Sequence, residues 1–394
     1  MNVLVFVSDA LRADHVGAYG ARFLNTATLD KLAAGGLRFD QAISAAPWTA
    51  PSMMSMVTGL YPHRHGHYAW NEPNPAIRTV FDAFAEAERD VATFVFDREF
   101  LFKGLRNANV LGETDTLDDV VAWLRQPHER PFLCFVHSWA THMPRRIRHG
   151  ERKEWRSAKL EFLARLQEDT AAGLESCRAE YREGVEYMSE TLLAELLAEL
   201  EATGLSESTA VVFLSDHGES WGERLPDKSE LTGIYHLHGA TLYDEIIEIP
   251  LVVSAPGRVE ASSVATQVSS VDVVPTVLEL AGLAPTDTDG VSLLARAAGD
   301  AAGEPVFSFT TDRGALSQAA IRQPPWKLIR QLETGHEEAY RLDLDPRELE
   351  NRADQAPAEL RFQLERQLDD AQQAELSHDE EAAVVSRLAD LGYL

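Results

Sequence analysis

Thr49, in the segment PWTAPS (residues 47–52), is a hydroxyl placed where a helix is predicted to begin. Pro51 fits the first turn of a helix, because that turn has no use for the missing N–H, and residues 52–58 can continue it to a stop at Gly59. A helix start carries partial positive charge and free N–H groups, which attract tetrahedral anions such as phosphate or sulfate. Thr49 would then face the central atom of that anion. The alternative is an ordinary proline-initiated helix with a polar cap.

Carboxylates and an imidazole follow two predicted strands. Asp9 follows the first apolar run of the chain, and Asp216 and His217, in the segment SDHGE, follow the fourth. Carboxylate oxygen together with imidazole nitrogen suits a divalent metal ion. A metal ion held there would polarise an ester oxygen and favour the deprotonated form of Thr49, whose unassisted hydroxyl is a weak nucleophile. Either aspartate taken alone is equally explained as a cap of a helix or turn.

Four further histidines and two arginines are candidates for handling an anionic substrate. Histidine can protonate a leaving oxygen near neutral pH, and arginine matches the geometry of a terminal oxyanion. Each of them taken singly is also explained as a hydrogen-bonded structural residue or a surface charge. The residues are His137 and His142 in FVHSWATHMP, His236 and His238 in YHLHG, and Arg64 and Arg98.

Composition places the chain among globular proteins and argues against polyanionic partners. The 394 residues are 45% hydrophobic, which is enough for a large core. The formal net charge of -27 excludes nucleic acid and an anionic membrane surface as expected partners. An acidic surface this poor in lysine predicts a protein kept soluble in high salt, a hypothesis that better activity and folding in dilute buffer would contradict. The lysines are Lys31, Lys103, Lys153, Lys159, Lys228 and Lys327.

The chain shows no pattern of an exported or membrane-spanning protein. Residues 2–7 form an apolar run that is too short to cross a bilayer and has no basic segment before it, so we interpret it as a buried strand. Two cysteines, Cys134 and Cys177, make no disulfide framework. The expected location is the cytoplasm, and the oligomeric state is left open.

Short apolar runs alternate with helical segments, which predicts an α/β fold with a mostly parallel sheet flanked by helices. Ligands of such folds collect at the carboxyl ends of the strands. The runs are residues 3–7, 91–96, 132–136, 210–214 and 250–253, and the helices are residues 28–35, 79–88, 117–125 and 272–281.

Three regions follow from this pattern. Residues 1–290 form the α/β domain, and residues 151–204 within it are a charged helical excursion, either a lid or an amphipathic pair covering one sheet face. Residues 291–394 form a small C-terminal α+β subdomain, with strand-like pieces at 306–309, 327–329 and 340–342 and helices from about Pro357 onward.

The ordered series of segments resembles the sulfatase family of the alkaline phosphatase superfamily over nearly the whole chain. It runs from NVLVFVSDALRADHVGAYG through PWTAPS, TGLYPHRHG, FVHSWATHMP, FLSDHGE and HGATLYDEIIEIPLVVSAPG to YRLDLDPRELENRAD and RLADLGYL. The resemblance implies a large α/β domain with a divalent metal ion, a small C-terminal domain, and hydrolysis of a sulfate or phosphate ester through a covalent intermediate. By matching position, it implies three roles. Asp9, Asp216 and His217 are metal ligands, Thr49 is the nucleophile, and His142 and His238 handle the substrate and the leaving oxygen.

The chain departs from the family pattern at the nucleophile. Sulfatases carry Cys or Ser there, matured to formylglycine, with Pro two residues later and Arg four residues later; this chain has Thr49, Pro51 and Met53. Threonine cannot become formylglycine, so a sulfated intermediate lacks its usual release by collapse of a hemiacetal. Water must instead attack the central atom, a step that suits phosphorus with metal assistance.

Further departures bear on the metal and the substrate. Ala10 stands where many relatives place another metal ligand, and Ser138 stands four residues before His142 where the two-metal phosphodiesterases have Asp. We therefore expect one divalent ion, of Ca, Mg, Mn or Zn. The family's Lys-x-His segment is also missing, and Arg98 is the candidate to replace its lysine.

Two functions are consistent with these residues. The first is a metal-dependent hydrolase of sulfate or phosphate esters, with Thr49 as nucleophile and also as a metal ligand, and with phosphate mono- or diesters favoured. The second is a catalytically silent member that binds an anionic ester or glycan in the same pocket. We favour the hydrolase, because Asp9, Thr49, Asp216 and His217 are all retained.

Overall fold

The computed structural model describes residues 1–69, 73–96, 102–114, 116–144, 147–148, 151–152, 155–168, 170–223, 237–299, 303–312 and 314–369. In chain order, the strands are β1 (Asn2–Ser8), β2 (Leu37–Ile43), β3 (Asp90–Val95), β4 (Val110–Glu113), β5 (Phe132–Ser138), β6 (Ile147–Arg148), β7 (Glu151–Arg152), β8 (Thr209–Ser215), β9 (Glu248–Ser254), β10 (Ser262–Val264), β11 (Val268–Ser269), β12 (Val306–Asp312), β13 (Ala315–Gln323), β14 (Trp326–Gln331) and β15 (Glu337–Arg341).

The α-helices alternate with these strands, as the sequence predicts. They are α1 (Ala27–Ala34), α2 (Thr49–Thr58), α3 (Pro62–His65), α4 (Val80–Glu86), α5 (Asp118–Leu124), α6 (Trp155–Glu168), α7 (Thr170–Tyr187), α8 (Ala194–Ala202), α9 (Asp244–Ile247), α10 (Val273–Ala281), α11 (Leu293–Ala297) and α12 (Ala358–Asp369). Within the described residues, no helix is both long and apolar enough to cross a membrane.

Nine strands form the main sheet in the order β10-β2-β9-β8-β1-β5-β3-β4, with β11 also paired to β2. The five apolar runs predicted as strands all lie in this sheet. Strand β1 pairs in parallel with both β5 and β8, whereas β9 runs antiparallel between β8 and β2. The mostly parallel α/β architecture is therefore confirmed. Strands β2, β4, β10 and β11 were not predicted, because they are short or polar enough to lack a continuous apolar run.

Each face of the sheet carries its own hydrophobic core. Val3, Val5 and Val7 of β1 point to one face, which is covered by residues of α2, α4 and α10. Leu4 and Phe6 point to the other face, which is covered by α1, α5, α7 and α8. This alternation follows from the two-residue period of a strand. Burial on both faces fixes the register of β1 and hence the position of whatever follows it.

The helical excursion covers one face of the sheet, as one of its two predicted alternatives states. Helices α7 and α8 are joined by a π-helical segment, Met188–Leu193, into a nearly continuous rod. Its buried residues recur every three or four positions, as expected of one helix face packed on a core. They include Leu174, Cys177, Tyr181, Val185, Met188, Leu192, Leu196 and Leu200.

The C-terminal part contains a separate antiparallel sheet in the order β12-β13-β14-β15, packed against α12. Strands β12, β14 and β15 correspond to the three strand-like pieces predicted there, and β13 is a fourth strand that was not predicted. The boundary at residues 290/291 stays a prediction. The sheet is tied to the main domain next to Thr49: the Ser308 hydroxyl donates to the carbonyl of Ser44 at 2.6 Å, and the Phe309 N–H donates to that of Ala45 at 2.9 Å. The C-terminal sheet thus supports the segment that leads into α2.

A buried charge cluster forms a second link between the two parts. Lys327 of β14 is fully buried, and its Nζ lies 2.7 Å from both Asp244 Oδ1 and Glu348 Oε1. Arg322 Nε lies 3.3 Å from Asp244 Oδ2. Burial alone would raise the pKa of Asp244, but Lys327 and Arg322 lower it to about 2. Removing one partner from this cluster would leave a buried charge without full compensation and would destabilise the protein.

We predict that Lys327→Met destabilises the protein by about 3–5 kcal/mol, because it removes the cation between two buried carboxylates and leaves only Arg322 beside Asp244. Denaturant unfolding measures the loss. Lys31→Met is the control, since Lys31 is exposed on α1, and it should change the free energy of unfolding by less than about 0.5 kcal/mol. Equal effects of the two substitutions would show that the cluster adds nothing.

Candidate functional site

The parallel register of three strands brings the first group of site residues together. Ser8, the last residue of β1, pairs with Ser138 of β5 and with Ser215 of β8. Asp9 and Asp216, one residue further along, therefore emerge side by side at the carboxyl edge of the sheet. His137 of β5 belongs to the same group. One ligand atom from each of Asp9, His137 and Asp216 lies within 4.8 Å of the others.

Buried hydrogen bonds fix both aspartates in place. The Asp9 N–H donates to the Ser138 carbonyl at 2.9 Å, and the Thr141 hydroxyl donates to the Asp9 carbonyl. Asp216 Oδ1 accepts from the backbone N–H of Ala10 at 3.0 Å and from that of His217 at 2.8 Å. Asp9 Oδ1 and Asp216 Oδ2 have no hydrogen-bond donor among the described residues. One oxygen of each carboxylate is thus left for another partner.

The tautomer of His217 is set by its neighbour. Nδ1 lies 2.8 Å from the Gly218 carbonyl, which can only accept, so Nδ1 carries the hydrogen. The lone pair of Nε2 then faces the aspartates, 3.4 Å from Asp216 Oδ2 and 3.7 Å from Asp9 Oδ1. A lone pair facing two carboxylates is the arrangement of a metal ligand whose other nitrogen is held by a backbone carbonyl.

The charge balance of this group favours a cation. Both aspartates are fully buried. Burial raises the pKa of Asp9 to about 7 although His217 opposes the shift, and burial together with Asp9 raises the pKa of Asp216. Burial also lowers the pKa of His137 to about 4, which keeps that ring neutral. Two carboxylates and two imidazole rings buried together fit one divalent ion, so Asp9, His137, Asp216 and His217 would hold it.

Thr49 lies at the rim of this group. Its Oγ1 is 3.3 Å from Asp9 Oδ2 and 3.3 Å from His217 Nε2. It is the first residue of α2, which ends at Gly59 in the left-handed conformation, as the sequence predicts. The helix start therefore lies beside the predicted metal ligands, in a buried position.

Helix α2 is held to the strand end by two serines that sequence reasoning did not single out. The hydroxyls of Ser52 and Ser44 both donate to the carbonyl of Asp216, the former at 2.7 Å. Ser52 lies one helical turn after Thr49, so this bond ties the position of the hydroxyl nucleophile to that of the aspartate. Only the folded chain shows it, since Ser52 and Asp216 are 164 residues apart.

His142 and His238 continue the site as a run of aromatic rings. The His217 and His238 ring centroids are 4.4 Å apart, and those of His238 and His142 are 5.3 Å apart. His142 stacks on Trp139 at 4.3 Å. His238 Nδ1 lies 3.0 Å from Oε1 of the buried Glu219, which orients the ring. Its Nε2 has no hydrogen-bond partner among the described residues, so it is available to a substrate.

The structure does not bring Arg64 to this site. Arg64 lies on α3, beyond the carboxyl end of α2, where Nη1 is 2.6 Å from Asp289 Oδ1 and Nη2 is 3.2 Å from Asp287 Oδ2. Two carboxylates already occupy its guanidinium, so the expected anion-binding role is corrected to a structural one. Arg98 and His236 lie outside the described residues.

Sequence reasoning also missed the role of His137. It considered this residue only for proton transfer or anion binding, because His137 lies within an apolar strand rather than after one. One signal was available, because Ala10 stands where many relatives have a metal ligand. The neighbouring parallel strand β5 carries an imidazole, His137, at the same edge of the sheet. Glu219 was visible in SDHGE, but its partner His238 is 19 residues away.

Comparison with known proteins agrees with this architecture. Residues 1–94 and 105–283 match the sequence profile of the sulfatase family. Residues 236–374 match a second profile, that of the C-terminal region of N-sulphoglucosamine sulphohydrolase.

Two characterised relatives illustrate the range of sequence similarity. The low-salt glycan biosynthesis sulfotransferase of Haloferax volcanii is 29% identical over 75% of this chain and 64% of that protein. The Delta 4,5-hexuronate-2-O-sulfatase of Bacteroides thetaiotaomicron is 22% identical over 89% of this chain and 84% of its own length. The chain thus spans just under two thirds of the first protein and most of the second.

Solved structures share the fold. A 2-O GAG sulfatase superposes with a TM-score of 0.74 at 19% identity, covering 99% of this chain and 92% of that one. The phosphonate monoester hydrolase of Agrobacterium radiobacter superposes with a TM-score of 0.71 at 18% identity, covering 93% and 94%. The α/β architecture with its small C-terminal subdomain is common to all of them.

We predict that a divalent ion stabilises the protein and that Asp216→Asn removes this effect. At a metal concentration of about 100 times Kd, the stabilisation should be about 2.7 kcal/mol. Thermal unfolding of the chelator-treated protein, with and without Mg²⁺, Ca²⁺, Mn²⁺ or Zn²⁺, measures it. Without metal, Asp216→Asn should be at least as stable as the unsubstituted protein, because it removes repulsion between two buried carboxylates.

Asp118→Asn, at an exposed position in the first turn of α5, is the control and should keep the full metal effect. An unchanged metal effect in Asp216→Asn would remove Asp216 from the ligand set. A protein that none of the four ions stabilises would contradict the metal site as a whole.

Proposed function

Because the chain belongs to the sulfatase family of ester hydrolases, we propose that it is a metal-dependent hydrolase that prefers phosphate mono- or diesters, with Thr49 as its nucleophile. One observation carries the proposal: Thr49 Oγ1 lies 3.3 Å from both Asp9 Oδ2 and His217 Nε2 at the start of α2. A hydroxyl so placed has a proton acceptor beside it and the helix start behind it.

The identity of Thr49 supports phosphate over sulfate. Formylglycine forms from cysteine or serine, and oxidation of a threonine would give a ketone instead of an aldehyde. A threonine sulfate therefore has no hemiacetal whose collapse would expel sulfate. A threonine phosphate is released by attack of water at phosphorus, a displacement that needs only positioning and charge stabilisation.

The residues of the chain supply the proton transfers. In the first half-reaction, the Thr49 hydroxyl gives its proton to Asp9 Oδ2, which lies 3.3 Å away, while its oxygen bonds to phosphorus. The bond from phosphorus to the leaving oxygen breaks, and His238 Nε2–H donates its proton to that oxygen while Nδ1 accepts one from Glu219, whose pKa burial raises well above its usual value. In the second half, water attacks phosphorus, gives its proton to His238, and Thr49 leaves and regains its own proton. A divalent ion bound at Asp9, His137, Asp216 and His217 would polarise the ester and stabilise its negative charge.

His142 is proposed to bind the non-reacting oxygens of the ester. Its ring is held on one side by stacking on Trp139 and lies 5.3 Å from the His238 ring. Trp139 is itself stacked on Phe96 at 4.1 Å, so the three rings form a rigid wall beside the site. Burial lowers the pKa of His142 well below its usual value, as do the neighbouring histidines. A neutral ring in this wall binds by hydrogen bonding.

Transfer of the group to a second alcohol is the other candidate activity. It is favoured by one observation, that a relative 29% identical to this chain is named a sulfotransferase of glycan biosynthesis. The covalent Thr49 intermediate would then pass its group to a sugar hydroxyl in place of water. Assays that supply a sugar alcohol and follow both inorganic phosphate or sulfate and the substituted sugar separate transfer from hydrolysis.

The high-salt solubility and cytoplasmic location expected from the sequence stay predictions, and assays should include molar KCl.

We predict that Thr49→Ala lowers the rate by at least about 10⁴-fold, because removing a nucleophile leaves only binding and electrostatic stabilisation. The assay compares nitrophenyl phosphate, bis-nitrophenyl phosphate, a phosphonate monoester and nitrophenyl sulfate, each with the four divalent ions. The phosphate esters should be turned over faster than the sulfate ester. Acid quenching during turnover should trap a phosphate on the peptide that contains Thr49, detected by mass spectrometry.

Thr58→Ala is the matched control. Thr58 lies at the other end of α2, is equally buried, and its hydroxyl donates to the Met54 carbonyl at 2.7 Å. It should keep nearly full activity. Substantial turnover by Thr49→Ala would disprove the nucleophile assignment. Turnover of no ester by a protein that binds the metal would favour the silent, ligand-binding alternative.

We predict that the effect of His238→Ala depends on the leaving group. With an alkyl phosphate, whose leaving oxygen needs a proton, kcat should fall by about 10²–10⁴-fold. With a nitrophenyl ester, whose leaving oxygen is stable as an anion, the loss should be less than tenfold. His336→Ala, at an exposed position of the C-terminal subdomain, should change neither rate. Equal losses with both leaving groups would show that His238 positions the substrate and does not protonate it.

A further inference from the structure

The turn that follows Asp9 is held in an unfavourable backbone conformation. Ala10 has a φ of 55°, in the left-handed region that non-glycine residues seldom adopt. Ala10 is fully buried, and its methyl side chain cannot form a hydrogen bond that would offset the strain. Its N–H nevertheless donates to Asp216 Oδ1 at 3.0 Å, so this conformation is what links the two aspartates. Such strain persists only when surrounding contacts enforce it.

Tyr181 of α7 supplies those contacts. Its hydroxyl donates to the Ala10 carbonyl at 2.8 Å and accepts from the Arg12 N–H at 2.9 Å. One side-chain oxygen thus bridges two backbone groups on either side of Leu11. The Leu11 N–H in turn donates to Ser215 Oγ at 2.8 Å. The whole turn after Asp9 is pinned between α7 and the end of β8.

The position of Tyr181 is itself fixed. The side chain is fully buried, with its ring edge-on to His15 at 5.1 Å and to Trp221 at 5.2 Å. Arg12 adds a second link, because its Nη1 donates to the Glu219 carbonyl at 2.9 Å and to Glu223 Oε1 at 2.7 Å. The helical excursion therefore does more than cover the sheet, since it touches the segments that carry Asp9 and Asp216.

We infer that Tyr181 is a positioning residue for the metal site: its hydroxyl holds the turn at Ala10 so that Asp9 and Asp216 face the same ion. The inference rests on the metal site proposed above. Tyr181 lies 169 and 171 residues from its two backbone partners. Nothing about its sequence position assigns it this role.

The chain offers a closely matched control. The hydroxyl of Tyr19 donates to the Leu251 carbonyl at 2.9 Å and accepts from the Leu251 N–H at 2.9 Å. It thus makes the same pair of backbone hydrogen bonds as Tyr181, but with strand β9 in place of the turn after Asp9. Tyr19→Phe and Tyr181→Phe remove the same atoms and the same kinds of bond. Only the second should affect metal binding.

Isothermal titration of the metal-free proteins with Mg²⁺, Ca²⁺, Mn²⁺ and Zn²⁺ tests the inference independently of activity. Tyr181→Phe should bind the preferred ion about 10- to 100-fold more weakly, and Tyr19→Phe should bind it within twofold of the unsubstituted protein. Adding Ala10→Gly to Tyr181→Phe should restore part of the affinity, because glycine adopts a positive φ without strain. If Tyr181→Phe alone is too unstable to purify, the metal affinity of this double variant is compared with that of the unsubstituted protein instead.

Unchanged affinity in Tyr181→Phe would overturn the inference, as would equal losses in Tyr181→Phe and Tyr19→Phe, which would mark a general loss of stability. Failure of Ala10→Gly to restore any affinity would also contradict it. Failure of the proposed metal site would look different, because the unsubstituted protein would then bind none of the four ions.

Discussion

Two carboxylates buried side by side, Asp9 and Asp216, are the constraint on which the rest of the site depends. Their repulsion in a buried position is unfavourable in the absence of a cation, so the neighbouring elements must hold them against it. The paired strands fix the positions of the two aspartates. Tyr181 of α7 forms hydrogen bonds to the turn after Asp9, and Ser52 links the start of α2 to Asp216. Much of the fold therefore stabilises an arrangement whose purpose is the binding of positive charge.

The same arrangement would account for a family member whose proposed nucleophile is a threonine. The helix start, the aspartates and the histidines provide a site for a tetrahedral anion that does not depend on the chemistry of the attacking group. Thr49 occupies the place of the attacking group with an oxygen that cannot be converted to an aldehyde hydrate. The missing ligand at Ala10 has a counterpart in His137, an imidazole on the next strand. The differences from the family pattern at Thr49 and Ala10 are thus compatible with the same arrangement of charges around the site.

Sequence reasoning reached the strands, the helix start and the two aspartates because each depends on local signals. Apolar runs mark β1 and β8, and a parallel register then places Asp9 next to Asp216. Pairings across long sequence separations were out of reach: Tyr181 with Ala10, Ser52 with Asp216, and Lys327 with Asp244 each join residues whose proximity follows only from three-dimensional packing. Arg64 was misjudged for the same reason, since its acidic partners at Asp287 and Asp289 are more than 200 positions away.

The anchoring of the helical excursion to the catalytic turn limits how this protein can diversify. Insertions between strands are usually the parts of an α/β enzyme that evolution or an engineer exchanges to change substrate range. Here the insertion contributes Tyr181, so replacing it as a cassette would also release the backbone that carries Asp9. Exchange of the whole segment would therefore be expected to weaken metal binding as well as to change the substrate range. An insertion that looks like an accessory thus makes direct hydrogen bonds to the turn that carries Asp9.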